Sequence, residues 1–253
     1  MTDAELLDVL SETATAIRDA LDRLGDWGLA GTRPGQYRSD LAADEAAMAV
    51  LGRAGVGVLS EESGLHQPER EIVVVLDPVD GSTNASRGFP WYATSLCALD
   101  AEGPRVALVV NQATGTRFDA ARGGGARCDG LAIGPSGVTT ISQSLIGLSG
   151  HPETNYGWRQ YRALGASALD LCCVAAGAMD GFVDCSVDAH GAWDYLGATL
   201  VCREAGAVIG DAFDRELVVR GHADRRTPVA AATPELFAEL LAARRAHGVQ
   251  KIG

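Results

Sequence analysis

Residues 72–76 are five consecutive apolar residues, Ile72-Val73-Val74-Val75-Leu76, and they run directly into Asp77-Pro78-Val79-Asp80-Gly81-Ser82-Thr83-Asn84. Four of the five are β-branched. Such an unbroken run predicts a strand buried on both faces, and therefore a sheet covered by further layers. Pro78 predicts that the strand stops at Asp77-Pro78, because proline lacks a ladder donor. The chain must thus build a covered sheet and deliver carboxylates at its end.

The flanking pattern supplies the layers. Thr2 and Glu5 form a capping box, and Leu6, Leu10, Ile17, Leu21 and Leu24 recur at helical spacing up to Gly25. A Gly-rich loop over residues 28–39 leads to a second helix over 44–51. Strands are predicted at 56–59, at 96–99 and 106–111 as a hairpin, and at 116–120. Arg122-Gly123-Gly124-Gly125 has no following Lys-Ser/Thr, so it reads as a hairpin turn and not as a phosphate cradle. Further on, strands at 145–148, 182–184, 207–209 and 229–232 alternate with helices at 165–179 and 192–205 and with a last helix that Thr233 caps and Pro234 begins. Helices followed by strands suggest an α+β unit over residues 1–138. Alternation suggests an α/β unit over residues 139–253. The fold class is therefore mixed α+β and α/β.

Composition narrows the function. The 253 residues carry 33 acids against 21 bases, a formal charge of −12. Nucleic acid needs clustered Lys and Arg, so a nucleic-acid partner is not expected. No stretch approaches the roughly 20 apolar residues that cross a bilayer, and no membrane partner is expected. Asp3, Glu5 and Asp8 are unlike the basic start of a secretory leader, so the expected location is cytoplasmic. The six cysteines form no C-x-x-C pair, which fits a reducing compartment and argues against structural zinc. The 47% apolar content predicts an ordered chain apart from its last few residues.

The chemistry concentrates in a few segments. Asp77 and Asp80 lie three residues apart, and a turn can bring both to one side. Two adjacent carboxylates repel unless a cation joins them. Mg²⁺ suits such a site, because it takes hard oxygen ligands from a few carboxylates and a phosphate. Gly81, Ser82 and Thr83 can offer backbone amides and a hydroxyl to an anion. An ordinary β-turn accounts equally for Asp-Pro-x-Asp-Gly taken alone. Glu61-Glu62-Ser63 follows another short strand, and adjacent strands would set Glu61 beside Asp77; Glu62 reads as solvated. Asp194 begins a helix, where the dipole favours a carboxylate even without metal. Trp193 reads as a packing anchor, and His66, His151 and His222 as solvated residues.

Taken in order, Glu61-Glu62-Ser63, residues 77–84 and Trp193-Asp194 leading to Glu204-Ala205-Gly206-Ala207 resemble the motifs of the inositol monophosphatase family. The resemblance implies a layered αβαβα sandwich of the sugar phosphatase type and a homodimer. It implies two or three Mg²⁺ ions held by Glu61, Asp77, the Val79 carbonyl, Asp80 and Asp194. Phosphate would meet Gly81, Ser82 and Thr83. Gly165 and Ser167 would line the substrate pocket, and Asp184 would bind substrate hydroxyls. Ser82 stands where monophosphatases usually carry Thr. Its partner in water activation is expected to be Asp44, with Asp40 in reserve, and Glu61 shares this catalytic role. The loop that usually carries Lys offers Arg33 and Arg38. The segment from Asp184 to Trp193 is longer than usual and contains Asp188 and His190.

The implied function is hydrolysis of a small phosphate monoester, such as inositol monophosphate or a related sugar or polyol phosphate, by two-metal-activated water. The same chemistry on histidinol phosphate, fructose bisphosphate or a nucleotide bisphosphate is one rival. A catalytically silent Mg²⁺- and phosphate-binding protein is the rival from another class. A haloacid-dehalogenase-type site is excluded by the three-residue separation of the acids, and no Cys–Arg loop supports a cysteine phosphatase.

Overall fold

In the computed structural model, residues 1–247 are described; the last few residues, where disorder is expected, lie outside the described residues. Among the described residues, the strands form two sheets. The first contains β1 (Gly57–Ser60), β2 (Gly64–His66), β3 (Val73–Asp80), β4 (Ala93–Asp100), β5 (Gly103–Asn111), β6 (Arg117–Ala121), β7 (Gly125–Cys128) and β8 (Leu131–Ala132), in the order β2-β1-β3-β4-β5-β6-β7-β8. Only β1 and β3 run parallel in it. The second contains β9 (Leu145–Ser149), β10 (Gln160–Arg162), β11 (Gly181–Asp184), β12 (Val208–Asp211) and β13 (Pro228–Ala231), in the order β10-β9-β11-β13-β12.

Side-chain alternation explains the layering. Val73 and Val75 of β3 join one core cluster, with Cys97, Ala107 and Val109. Val74 and Leu76 point the other way, with Leu96, Ala98 and Leu108. Both faces are apolar, so both must be covered. Helices α1 (Asp3–Asp22) and α2 (Arg38–Ala54) cover one face. Helices α4 (Ser167–Ala175) and α5 (Ala192–Ala205) fill the space between the two sheets. Helix α6 (Pro234–His247) closes the far side against β13. The result is the αβαβα sandwich.

Several local features follow from sequence. The Thr2–Glu5 capping box begins α1. Gly206, in the left-handed region, ends α5. Gly197 lets α5 lie close on the first sheet, since a Cβ there would come within 3.0 Å of Ser95 Oγ and 3.2 Å of the Leu96 carbonyl oxygen. The Gly-rich stretch at 122–125 is the β6–β7 hairpin turn.

The structure differs from expectation in three elements. Strand β3 does not stop at Asp77 but continues through Pro78 to Asp80, with an irregularity in its pairing to β4 between Asp77 and Asp80. The bulge accommodates the missing amide of Pro78, while the Pro78 carbonyl accepts Thr94 Oγ1 at 2.9 Å. Helix α2 starts at Arg38 and not at 44, because Asp40 Oδ2 accepts the Tyr37 amide at 2.8 Å and secures its first turn. Helix α4 is shorter than residues 165–179. The exposed or very short strands β2, β8 and β10 carry too little apolar pattern to be read from sequence.

Candidate metal and phosphate site

Parallel pairing of β1 with β3 aligns Ser60 with Leu76, and the Glu61 amide donates to the Leu76 carbonyl at 3.1 Å. Glu61, just beyond the end of β1, and Asp77, within β3, therefore stand at the same level. Helix α5 points its first turn at this point and carries Asp194. Ser95 Oγ fastens that turn to β4 by donating to the Trp193 carbonyl at 3.0 Å. Carboxylate oxygens of Glu61, Asp77 and Asp194 lie within 4.8 Å of one another.

Each of three aspartates commits one oxygen to a backbone amide. Asp77 Oδ1 accepts Val79 N–H at 3.0 Å, Asp80 Oδ2 accepts Ala168 N–H at 2.7 Å, and Asp194 Oδ2 accepts Gly191 N–H at 2.7 Å. These bonds fix the carboxylates and leave the second oxygen of each for a ligand.

The cluster is electrostatically costly. Burial, then the charges of Asp194, Glu62, Asp40 and Asp80, raises Glu61 well above its usual range. Burial, then Glu61, Asp80 and Asp194, does the same to Asp77. Asp80 rises to about 8, through burial and then Asp194. Asp194 is raised by burial, against the opposing charge of His190 and the Gly191 amide. Convergent, partly dehydrated acids with their other oxygens pinned fit a hard divalent cation, which would relieve the repulsion. The donor set is all oxygen, as Mg²⁺ requires and as thiophilic metals do not.

A cleft of about 290 Å³ opens beside the cluster, lined by Arg33, Gln36, Asp40, Glu61, Ser82, Trp193 and Arg225, among others. Gly81 precedes the short helix α3 (Ser82–Ser86) at φ 85°, the left-handed region. A Cβ at Gly81 would come within 3.0 Å of the carbonyl oxygens of Gly165 and Trp91, so glycine is required on both grounds. Asn84 Nδ2 donates to the carbonyls of Trp91 at 2.8 Å and Leu164 at 2.7 Å, binding this turn to the loop that leads into α4. Thr83 Oγ1 lies 3.1 Å from the Tyr37 hydroxyl, which joins α3 to the loop that precedes α2. Val79 is buried beside Asp77.

Two sequence candidates stand elsewhere. Asp44 does not meet Ser82. It accepts Ser60 Oγ beneath β1, and that hydroxyl in turn accepts the Glu62 amide at 3.1 Å. Asp40, one helical turn earlier, lines the cleft with Ser82, and burial raises it to about 6. The reason is the earlier start of α2, which sets Asp40 in its first turn. Asp184 does not face the cleft. It is fully buried, and its oxygens hold His190 Nδ1 at 3.0 Å and the Ser186 amide at 2.9 Å. Ser167 Oγ lies 2.7 Å from His190 Nε2.

Other residues at the cleft were read differently in sequence. Glu62 is not solvated; Arg33 and Gln36 both donate to its Oε2. His222 is no solvated residue either. Its Nε2 lies 3.0 Å from the Glu61 carbonyl, and its ring packs 4.9 Å from Trp193. Arg225 lies over the Trp193 ring at 5.1 Å. No spacing signal marks His222 or Arg225, since the loop that carries them follows Glu61 by some 160 residues. The six cysteines are free thiols. Among the described residues, no helix is long and apolar enough to cross a membrane.

The sequence pattern described as the Inositol monophosphatase family matches residues 39–249. A fructose-1,6-bisphosphatase of Pyrococcus furiosus is 32% identical over 207 residues, covering 80% of each chain. An inositol-1-monophosphatase of Mesorhizobium japonicum is 32% identical over 238 residues, covering 83% of this chain and 87% of the relative. Among solved structures, a hypothetical protein of Pyrococcus horikoshii with similarities to inositol-1 monophosphatase superposes with a TM-score of 0.82 over 98% of both chains, at 22% identity. The extragenic suppressor protein suhB of Bartonella henselae superposes with a TM-score of 0.80 over 95% of this chain and 99% of that one, at 25% identity.

Proposed function

Because the chain belongs to the inositol monophosphatase family of phosphoric monoester hydrolases, we propose that it hydrolyses a small sugar or polyol phosphate, inositol monophosphate foremost, with Mg²⁺ as cofactor. The observation that carries this reading is the convergence of Glu61, Asp77 and Asp194 within 4.8 Å, beside Asp80 and an open cleft. Glu61, Asp77, Asp80, Asp194 and the Val79 carbonyl would hold the ions. When bound, the ions supply charge that draws in the phosphate and activates water.

The chain's own groups do the rest. Amides at the start of α3 have no partner within the helix and are suited to phosphate oxygens. Gly81 lets that backbone come close. Ser82 orients the attacking water, and Asp40 takes the proton. Its raised pKa, about 6, suits a base working near neutral pH. Trp193 walls the cleft and excludes solvent from one side.

Arg33, His222 and Arg225 at the mouth favour a second reading of the substrate. Among the described residues, no carboxylate pairs with Arg225; its Nη1 donates to the carbonyls of His222 at 2.7 Å and Asp224 at 2.9 Å. A substrate with a second anionic group, such as a fructose or nucleotide bisphosphate, would place that group there. The relative named fructose-1,6-bisphosphatase supports this alternative.

The test is phosphate release from inositol monophosphate, glycerol 2-phosphate, histidinol phosphate and fructose 1,6-bisphosphate, each with Mg²⁺ and with EDTA. Mg²⁺-dependent release from at least one is expected. Binding of Mg²⁺ and phosphate without release from any would reject the enzyme reading in favour of a silent binding protein.

A further inference from the structure

A second polar array adjoins the acidic cluster, and the metal chemistry leaves it unused. Asp184 Oδ2 lies 3.0 Å from His190 Nδ1, and His190 Nε2 lies 2.7 Å from Ser167 Oγ. Ser149 Oγ flanks the same nitrogen at 3.3 Å. Carboxylate, imidazole and hydroxyl stand in series. Asp184 is sealed from solvent, and it is steadied by the Ser186 amide on its other oxygen and by Arg244 Nε on its carbonyl at 2.6 Å. With Nδ1 held by Asp184, Nε2 is the ring nitrogen left to exchange a proton.

The Ser167 end of this series adjoins the acidic cluster. Ser167 is the first residue of α4, and the next residue, Ala168, gives its amide to Asp80 at 2.7 Å. Ser167 thus stands beside the cluster on the α4 side. Asp40 and Ser82, which serve the attacking water in the reading above, come from α2 and α3.

We propose that Ser167, oriented by His190 and Asp184, donates the proton that the leaving alcohol takes up as the ester bond breaks. The proposal rests on the phosphatase reading above. Water oxygen forms the new P–O bond. The ester P–O bond breaks, and its electron pair goes to the alcohol oxygen. Ser167 O–H gives its proton to that oxygen, and His190 Nε2–H replaces it. The attacking water gives its proton to Asp40, which passes it to solvent, and solvent returns one to the ring. The products are the alcohol and inorganic phosphate, with the protein unchanged. Ser167 is the catalytic residue; His190 and Asp184 are positioning residues.

A merely structural role predicts a different outcome, so leaving-group dependence decides. An alkoxide is a strong base and needs a proton, whereas 4-nitrophenolate leaves without one. We compare kcat/KM on glycerol 2-phosphate and on 4-nitrophenyl phosphate, with Mg²⁺, for the full chain and its Ser167→Ala, Ser167→Thr and His190→Gln variants. Proton transfer by a positioned group is worth about 10²–10⁴-fold. Ser167→Ala should therefore lose at least ~10-fold more on the alkyl ester than on the aryl ester. Ser167→Thr, which keeps the hydroxyl, should recover most of the difference. His190→Gln should follow Ser167→Ala. Circular dichroism melts check folding, and Ser167→Ala alone suffices if His190→Gln does not fold. Equal losses on both esters, or no loss on the alkyl ester, would overturn the relay while leaving the phosphatase intact. A wild-type chain that releases phosphate neither from these two esters nor from any other substrate of the panel above would overturn both.

Discussion

Asp80 Oδ2 accepts the amide of Ala168 at 2.7 Å, so the end of β3 in the first sheet is tied to the first turn of α4. The bond fixes the carboxylate and offers a negative end to the helix dipole. An amide side chain can accept the same bond through its oxygen. Asp80→Asn should therefore fold normally and lose only the charge. Asp194→Asn should behave alike, since its oxygen can still accept the Gly191 amide. We expect each to cut Mg²⁺-dependent turnover by more than the ~10–100-fold typical of residues that only support a ligand. Steady-state assays with thermal melts measure this, and wild-type turnover in either variant would refute the assignment.

Stability should fall with rising pH when no cation is bound. Glu61, Asp77, Asp80 and Asp194 all have raised pKa values, chiefly through burial, with Asp80 moved from 3.8 to about 8. The folded chain therefore binds more protons than the unfolded chain from the ordinary carboxylate range up to about pH 8. A folded-state pKa above the unfolded one gives stabilisation that is present at low pH and lost as pH climbs. In the proposed site Mg²⁺ would replace those protons, since it requires ionised ligands. The rise in Tm on adding Mg²⁺ should be larger at pH 8 than at pH 5. A rise that is equal at both, or larger at pH 5, contradicts the account.

Asp40 and Asp44 are separated by one helical turn and should separate in behaviour. Asp40→Asn removes the proposed base on the cleft and should lower kcat by about 10²–10⁴-fold. Asp44→Ala strands the buried Ser60 hydroxyl and should cost about 1–3 kcal/mol of stability with a much smaller effect on kcat. Denaturant unfolding and kcat measurements on both variants resolve the two. The reverse pattern would return the catalytic role to Asp44.

Arg225 lies over Trp193 with its guanidinium at the cleft mouth. A hydrogen bond to a charged group is worth about 1.5–3 kcal/mol, or roughly 10-fold and upward in binding. Arg225→Ala should raise KM for fructose 1,6-bisphosphate by that factor and for inositol monophosphate by less. Equal changes would remove the case for a second anionic group.

Sequence and structure divide along physical lines. The buried run at 72–76 fixed a covered sheet, because β-branched residues on both faces can be satisfied only between layers. The acids at 77 and 80 were legible because three residues of backbone suffice to bring them close. Glu61 was legible because strand adjacency follows from local pattern. Which oxygen donor accompanies Ser82 was not. Asp40 and Asp44 lie on nearly the same helix face, and only the Tyr37–Asp40 bond that starts α2 and the Ser60–Asp44 bond beneath β1 set the first at the cleft and the second away from it.

His222 and Arg225 carry no local signal, and Asp184 looked like a cleft residue until its carboxylate proved to be taken by His190. The linear chain determined the residue types, the buried central strand and the acidic motif, which are short-range consequences of hydrophobic spacing and turn chemistry, while the layered order was implied by the resemblance to the family. Tertiary structure decided which side chains share a cleft, because contacts such as His222 with Glu61 and Ala168 with Asp80 depend on how separate layers dock. That docking is set by the summed packing of both sheets and not by any one segment.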